Sequence, residues 1–206
     1  LHRVAKFSAP ESRLERDIGV AAGLASDERF KALASRVSES VSELDAFGLA
    51  NVAWSFAKIG YTPNQETLSS IADRLEHEIG KSGARVRPQS LSNATYAFGK
   101  MRFKPPKSTL EALCSATERA MEDFRADEFS GMLLGLAHLD HVPDQAFLTS
   151  ATTFMHKNLR RFDDAATCNV LWAFARMEKP VPRETIDALL SQLAGANLGG
   201  NHSHVN

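Results

Sequence analysis

Apolar residues recur along this chain in one stripe that appears four times. In each copy, three apolar positions are spaced i, i+4 and i+7, which places their side chains on one face of an α-helix. These positions are Val52/Ala94/Met132/Val170, Phe56/Phe98/Leu136/Phe174 and Ile59/Met101/Leu139/Met177. The copies begin at Leu49, Leu91, Phe129 and Thr167, so the steps between them are 42, 38 and 38 residues. A near-constant step of this length, long enough for two helices, is typical of a stacked helical repeat.

Each repeat predicts two helices separated by a proline-containing turn. The first, here called the B helix, is expected at roughly 46–59, 89–101, 127–139 and 165–177. Proline is tolerated in the first turn of a helix but not in its interior, so the prolines end one helix and open the next. They are Pro63, Pro105, Pro106, Pro143, Pro180 and Pro182. The second, the A helix, is expected at roughly 64–80, 107–124, 144–160 and 183–195.

Two positions of every B helix carry only small residues. They are Ser55/Ala97/Gly135/Ala173 and Ala57/Gly99/Ala137/Ala175. Glycine inside a helix costs about 0.5–1 kcal/mol relative to alanine, so Gly99 and Gly135 indicate contacts too close for a larger side chain. The B helices are therefore predicted to form an inner row and the A helices an outer row.

The predicted fold is all-α, an α-solenoid of stacked helix-turn-helix repeats of about 38 residues. Leu14, Ile18 and Ala21 fall on one helical face, and Phe30 lies 38 residues before Leu68, which indicates a degenerate repeat before the clear ones. The expected organisation is an N-terminal arm at 1–10, a degenerate capping repeat at 11–44, the repeat array at 45–195 and a flexible tail at 196–206. The four extra residues of the longer step fall within 80–87, a charged segment with glycines that is typical of a solvent loop.

Composition and charge narrow the function classes. The chain of 206 residues is 43% hydrophobic and 24% charged, as is usual for a globular protein. Its net charge of −1 argues against nucleic-acid binding through bulk basicity, although it leaves a basic stripe on one face open. The sequence has no run of about 18 apolar residues, so no transmembrane helix is predicted. Cys114 and Cys168 are expected to be buried free thiols. The chain begins with Leu1 and is expected to be a processed or truncated product.

One face of the B helices carries the candidate chemistry. Successive helical residues are rotated by about 100°, which places three residue types on the same side of the B helix in three of the four copies. These are an amide, an aromatic ring and a cation. An amide that reads a base edge, a ring that stacks and a cation for phosphate are the elements of single-stranded RNA recognition. The predicted RNA-binding residues are Asn51, Trp54 and Lys58, then Asn93, Tyr96 and Lys100, then His138 alone in the weakened third copy, and finally Asn169, Trp172 and Arg176.

Each of these residue types also has a structural explanation. Aromatic residues at a fixed repeat position, such as those at 54, 96 and 172, are more often packing anchors between repeats, and the amides could bond a loop carbonyl of the neighbouring repeat. The cations lie near helix C-termini, where a positive charge is favoured by about 0.3–1 kcal/mol. The recurrence of all three types in three of the four copies favours the RNA-binding hypothesis.

Other polar clusters are weaker candidates. His138, Asp140 and His141, or His202 and His204, could contribute to a metal site but lack further ligands at helical spacing. A basic cluster at the end of an A helix, made of Lys157, Arg160 and Arg161, could contact phosphate or simply face solvent. No phosphate-binding loop, nucleophile elbow or paired-cysteine motif occurs. We therefore expect no enzyme activity, no catalytic residues, no cofactor, no metal and no small-molecule substrate.

The repeated motif Leu-Ala-Asn-x-x-Trp-x-Phe-Ala-Lys, the proline turn and the 38-residue step resemble the octotricopeptide repeat family. They are also similar to the helical repeats of organellar proteins that carry RAP or FAST-kinase-like domains. The resemblance covers residues 28–195, and the third copy departs most because it lacks the amide and the aromatic ring. It implies an α-solenoid that binds organellar RNA in maturation, stability or translation, in some cases as part of a mitochondrial ribosome.

The expected function is therefore that of an organellar RNA-binding protein, either a mitochondrial ribosome-associated subunit or a factor of RNA maturation or translation. Its expected partners are ribosomal or transcript RNA and other proteins of a ribonucleoprotein complex, without membrane insertion. The expected location is the mitochondrion, with the plastid as the alternative. The competing hypothesis is a protein scaffold of a large organellar complex without RNA contact, which the near-zero net charge favours.

Overall fold

The computed structural model describes residues 23–178 and 182–199, and most of that part is helical. A short helix α1 spans Glu28–Glu39 and precedes a 3-10 turn at Val41–Glu43. The B helices are α2 (Ala46–Ile59), α4 (Pro88–Lys100), α6 (Ala126–His138) and α8 (Asp164–Met177). The A helices that follow them are α3 (Gln65–Gly80), α5 (Lys107–Arg119), α7 (Gln145–Asn158) and α9 (Arg183–Gly199).

The helices stack in the two predicted rows. In the inner row α2 packs on α4, α4 on α6 and α6 on α8, and these are the most extensive contacts of the fold. In the outer row α3 packs on α5, α5 on α7 and α7 on α9. The all-α prediction is confirmed, and no strand occurs in the described ranges.

The helix boundaries follow local sequence signals. Asp45, Asn64, Asp144 and Asp163 each accept a backbone N–H bond at the start of a helix, which satisfies an otherwise unpaired donor. Two predicted A helices end early, since 3-10 turns at Met121–Asp123 and Leu159–Arg161 replace their last α-helical turns. The loop at 81–87 takes up the extra residues of the longer step.

Small residues set the spacing of the inner row, as predicted. A Cβ built on Gly135 would lie 2.6 Å from the backbone nitrogen of Tyr96, and one built on Gly99 would lie 2.9 Å from the backbone oxygen of Gly135. The hydroxyl oxygen of Ser92 would be 2.7 Å from a Cβ on Gly131. Helices α4 and α6 therefore meet backbone to backbone, at a distance that larger side chains would not permit.

The two cysteines differ in their surroundings. Cys114 is buried, and burial raises the pKa of its thiol to about 12. Cys168 is exposed, so the prediction of a buried thiol is wrong there. It occupies the α8 position at which α6 carries Ser130, which is buried. In the inner row described here α8 is the last helix, so no following B helix covers this thiol.

Several predictions fall on parts of the chain outside the described residues. These are the arm at 1–10, the helical face of Leu14, Ile18 and Ala21, Pro180, and most of the C-terminal tail with His202 and His204. Among the described helices, none has both the length and the apolar character needed to cross a membrane.

Candidate nucleic-acid interface

A groove of about 610 Å³ opens where the C-terminal ends of α4, α6 and α8 meet. This volume lies within the range of about 300–1,000 Å³ that is usual for small-molecule sites. Gly99 lies where α4 and α6 approach each other closely, so the groove follows directly from the packing of the inner row. It is lined by Gly99, Lys100, Arg102, Lys104, His138, Leu139, Asp140, Trp172 and Arg176.

The turns that close the B helices bring Arg102 and Asp140 to this groove. Equivalent positions of the four repeats have left-handed backbone, with φ of 76° at Gly60, 55° at Arg102, 49° at Asp140 and 52° at Glu178. In the first three turns the next N–H bonds back into the helix, as in Phe103 to the carbonyl of Phe98 at 3.0 Å. Glycine adopts this conformation freely, so each charged residue there is held at a conformational cost.

The groove is electropositive although the whole chain is nearly neutral. Four cationic side chains line it against a single carboxylate, that of Asp140. The side chains of Lys100, Arg102 and Lys104 make no hydrogen bond or ion pair with any other residue of the described ranges. Burial, and then the charge of the nearby Lys104, lowers the pKa of His141.

Several cations on α1 and on the outer helices are instead paired with carboxylates. Lys31 pairs with Glu28 at 2.8 Å, Lys107 with Glu111 at 3.0 Å and Lys157 with Glu122 at 2.8 Å. Lys157 belongs to the weaker basic cluster of the sequence, and its ion pair makes it less available to phosphate. The groove therefore gathers three unpaired cations in one place, whereas carboxylates neutralise these three lysines.

An aromatic surface forms one side of the groove. The rings of His138 on α6 and Trp172 on α8 stack with their centroids 4.9 Å apart and an interplanar angle of 34°. His138 Nδ1 lies 2.8 Å from the carbonyl oxygen of Leu134, a contact that requires Nδ1 to carry the hydrogen. Trp172 remains 45% exposed even with this contact. The third repeat, in which the motif is weakest, thus contributes His138, and the imidazole ring of His138 packs against the indole ring of Trp172 from the fourth repeat.

An ion pair across two repeats forms the far end of the groove. Arg176 on α8 donates from Nε and Nη2 to Oδ1 of Asp140, at 3.1 and 2.8 Å. Both side chains are more than half exposed, so the pair contributes about 0–1 kcal/mol to stability. Arg176, predicted as a free phosphate ligand, is therefore partly engaged by the protein itself.

The structure brings four of the ten predicted site residues together in this groove, namely Lys100, His138, Trp172 and Arg176. Trp54 is half-buried and packs against the core, and burial raises the pKa of the half-buried Tyr96. The remaining six predicted residues do not line the groove, and they are Asn51, Trp54, Lys58, Asn93, Tyr96 and Asn169. Among them the three amides are half-buried and Lys58 is exposed.

The sequence did not lead us to predict Arg102 and Lys104 as site residues, and Asp140 was considered only as a metal ligand. A comparison of repeat positions contained the signal for Arg102 and Asp140, because both stand where the first copy has Gly60. Charged residues at a position suited to glycine are candidates for a functional role. In the described ranges no cluster of three or more His, Cys, Asp and Glu side chains could hold a metal ion.

A protein-family model matches most of the chain. Residues 15–199 match the family model of the Tbc2 translation factor, N-terminal domain. No curated protein matches the sequence at a significant level. Since the family match extends over most of the chain, including the whole repeat array, this protein belongs to the Tbc2 translation factor N-terminal domain family.

Proposed function

We propose that this protein binds RNA in organellar translation and that the groove at the ends of α4, α6 and α8 is its RNA-contacting surface. The observation that carries the proposal is the set of three unpaired cations, Lys100, Arg102 and Lys104, beside the exposed ring of Trp172. A cationic groove with an accessible aromatic ring is the combination that single-stranded nucleic acids require.

Family membership supports a role in translation. The 38-residue step and the Leu-Ala-Asn-x-x-Trp motif support the more specific assignment to an octotricopeptide-like array. We assign the protein to the mitochondrion, with the plastid as the alternative, and to a ribosome-associated or transcript-bound complex. In this role the protein is a binding module and not an enzyme.

Charge reversal in the groove tests the RNA contact. The variant K100E/R102E/K104E should bind a single-stranded RNA of about 12 nucleotides at least tenfold more weakly, because the cations that neutralise its phosphates are lost. The matched control K31E/K107E/K157E changes the net charge equally but acts on exposed ion pairs of the outer helices. It should change the affinity by less than the groove variant does.

The result also separates RNA binding from a scaffold function. Equal loss of affinity in both variants would show that only overall charge matters. If the wild-type protein binds no RNA, or binds it equally well after groove reversal, the groove is not an RNA surface. Circular dichroism of both variants should show unchanged helical content, because every substituted side chain lies at the surface.

A further inference from the structure

Only one of the repeated aromatic residues is presented for stacking. Trp172 is 45% exposed, lies in the groove and is supported on one side by the ring of His138. The equivalent residues Trp54 and Tyr96 are half-buried and lie outside the groove. The groove itself spans three repeats, α4, α6 and α8, instead of being repeated once in each.

The ion pair beside Trp172 offers both an acceptor and a donor. Arg176 is four residues from Trp172 and therefore on the same face of α8. Both bonds from Arg176 use Oδ1 of Asp140, and Oδ2 makes no hydrogen bond with a described residue. A base that stacks on Trp172 would therefore meet a carboxylate oxygen and a guanidinium group near its edge.

We propose that the groove holds one unpaired base of the RNA strand, stacked on Trp172 and recognised at its edge by Asp140 and Arg176, with guanine preferred. This inference rests on the proposed RNA-binding function. Guanine presents neighbouring N–H donors at N1 and N2, which a carboxylate accepts, and acceptors at O6 and N7, which arginine recognises. Uracil has a single ring N–H donor and a smaller surface for stacking.

The unpaired cations fit the same arrangement. Lys100, Arg102 and Lys104 line the groove from α4 and the turn after it, while Trp172 lines it from α8. A strand whose base reaches Trp172 can thus place its phosphates against the three cations. Asp140 would repel phosphate, which favours contact with a base edge over the backbone.

Fluorescence of a single tryptophan tests the stacking directly. The chain has two tryptophans, so W54F leaves Trp172 as the only one. Addition of a 12-nucleotide oligoadenylate with one central guanine should quench its emission, and W172L should bind this RNA about tenfold or more weakly. The matched change Y96L, at the equivalent position of α4, should alter the affinity less than twofold.

Edge recognition has its own measurement. Replacing the guanine by inosine removes the N2 amino group and should weaken binding to the wild type by about tenfold. In D140N the two RNAs should bind with nearly equal affinity. Free GMP should bind far more weakly than the RNA, because it lacks the flanking phosphates. Equal affinity for GMP and RNA would contradict the inference, because the groove would then be a site for a free nucleotide.

These outcomes separate the inference from the proposed function. RNA binding that depends on Lys100, Arg102 and Lys104 but shows no quenching of Trp172 and no loss in W172L would overturn the stacked base alone. An undiminished preference for guanine in D140N would overturn edge recognition by Asp140. Absence of any RNA binding would overturn both the proposed function and this inference.

Discussion

The inner and outer rows of this solenoid are built from different interactions. Inner helices meet through glycine and other small residues, backbone to backbone, and some of their terminal cations remain unpaired. Outer helices meet through polar side chains, as in Thr109 to Glu76 at 2.6 Å, and several of their cations form ion pairs with carboxylates. The inner row therefore fixes the geometry and presents charge to a ligand, whereas the outer row uses its charge within the protein.

The largest effect is expected where the inner row is tightest. Gly135→Ala places a Cβ 2.6 Å from backbone atoms of α4, which cannot move without shifting the helix. The free energy of unfolding should fall by about 3 kcal/mol, the upper part of the range for overpacking. Gly80→Ala is the control, because a Cβ at Gly80 has nothing within 4 Å.

Urea unfolding of both glycine variants gives the comparison. The control should be neutral or slightly more stable, since alanine is the better helix former. Equal stability of the two variants would show that α4 and α6 are not in backbone contact, and the proposed origin of the groove would fail.

A second prediction concerns a buried hydroxyl group of the inner row that lacks a hydrogen-bond partner within the described part of the chain. Thr167 is fully buried where the other copies have Leu49, Leu91 and Phe129, and its hydroxyl has no hydrogen-bond partner among the described residues. Thr167→Val should raise the free energy of unfolding by about 1–2 kcal/mol, because it removes an unsatisfied buried hydroxyl at similar volume.

Thr95→Val is the matched control. Its hydroxyl is equally buried but donates to the carbonyl of Leu91 at 2.9 Å. This substitution should not stabilise the protein, and thermal unfolding of the two variants would show the difference. A stabilisation of equal size in both would mean that side-chain hydrophobicity, and not the missing hydrogen bond, is the cause.

A third prediction separates stability from ligand binding at the turns. Arg102→Gly removes the steric cost of a left-handed backbone at a non-glycine residue, since the first repeat already has Gly60 at this position. It should stabilise the fold by about 1 kcal/mol. The same change removes a groove cation and should weaken RNA binding severalfold. Chemical denaturation and RNA titration on one sample would check both; a variant that is less stable would contradict the cost assigned to the turn.

The smallest effect is expected in the outer row. Glu118 on α5 is the repeat equivalent of Glu76, which bonds Thr109, but α7 carries Phe147 where α5 has that threonine. Burial, and then the charge of Asp144, raises the pKa of Glu118 above 4.5. The folded state thus binds the proton more tightly, so this residue's contribution to stability is present at low pH and lost as pH rises through its folded pKa.

Glu118→Gln should therefore stabilise the protein slightly at neutral pH, by less than about 0.5 kcal/mol, and flatten the pH dependence above the ordinary pKa of 4.5. Unfolding curves at several pH values would measure this. A steeper loss of stability with rising pH in the variant would contradict the assignment.

The repeat pattern was enough to predict the fold. The two rows and the close approach at Gly99 and Gly135 follow from periodicity and side-chain size, which are local properties, whereas two A helices end earlier than the periodicity predicted. The groove was only partly predicted, because its lining combines helix ends with Arg102 and Asp140 in the turns. Periodicity also could not distinguish the exposed Trp172 from the half-buried Trp54, since their exposure depends on neighbouring helices and not on the motif.

The salt dependence of RNA binding tests the central claim most directly. For single-stranded RNA, the logarithm of the binding constant falls with the logarithm of salt concentration by about 0.7 for each phosphate contacted. If Lys100, Arg102 and Lys104 contact phosphate, the slope of K100E/R102E/K104E should be shallower than that of the wild type by about 2. An unchanged slope in that variant would contradict the account, because it would place the RNA elsewhere on the protein.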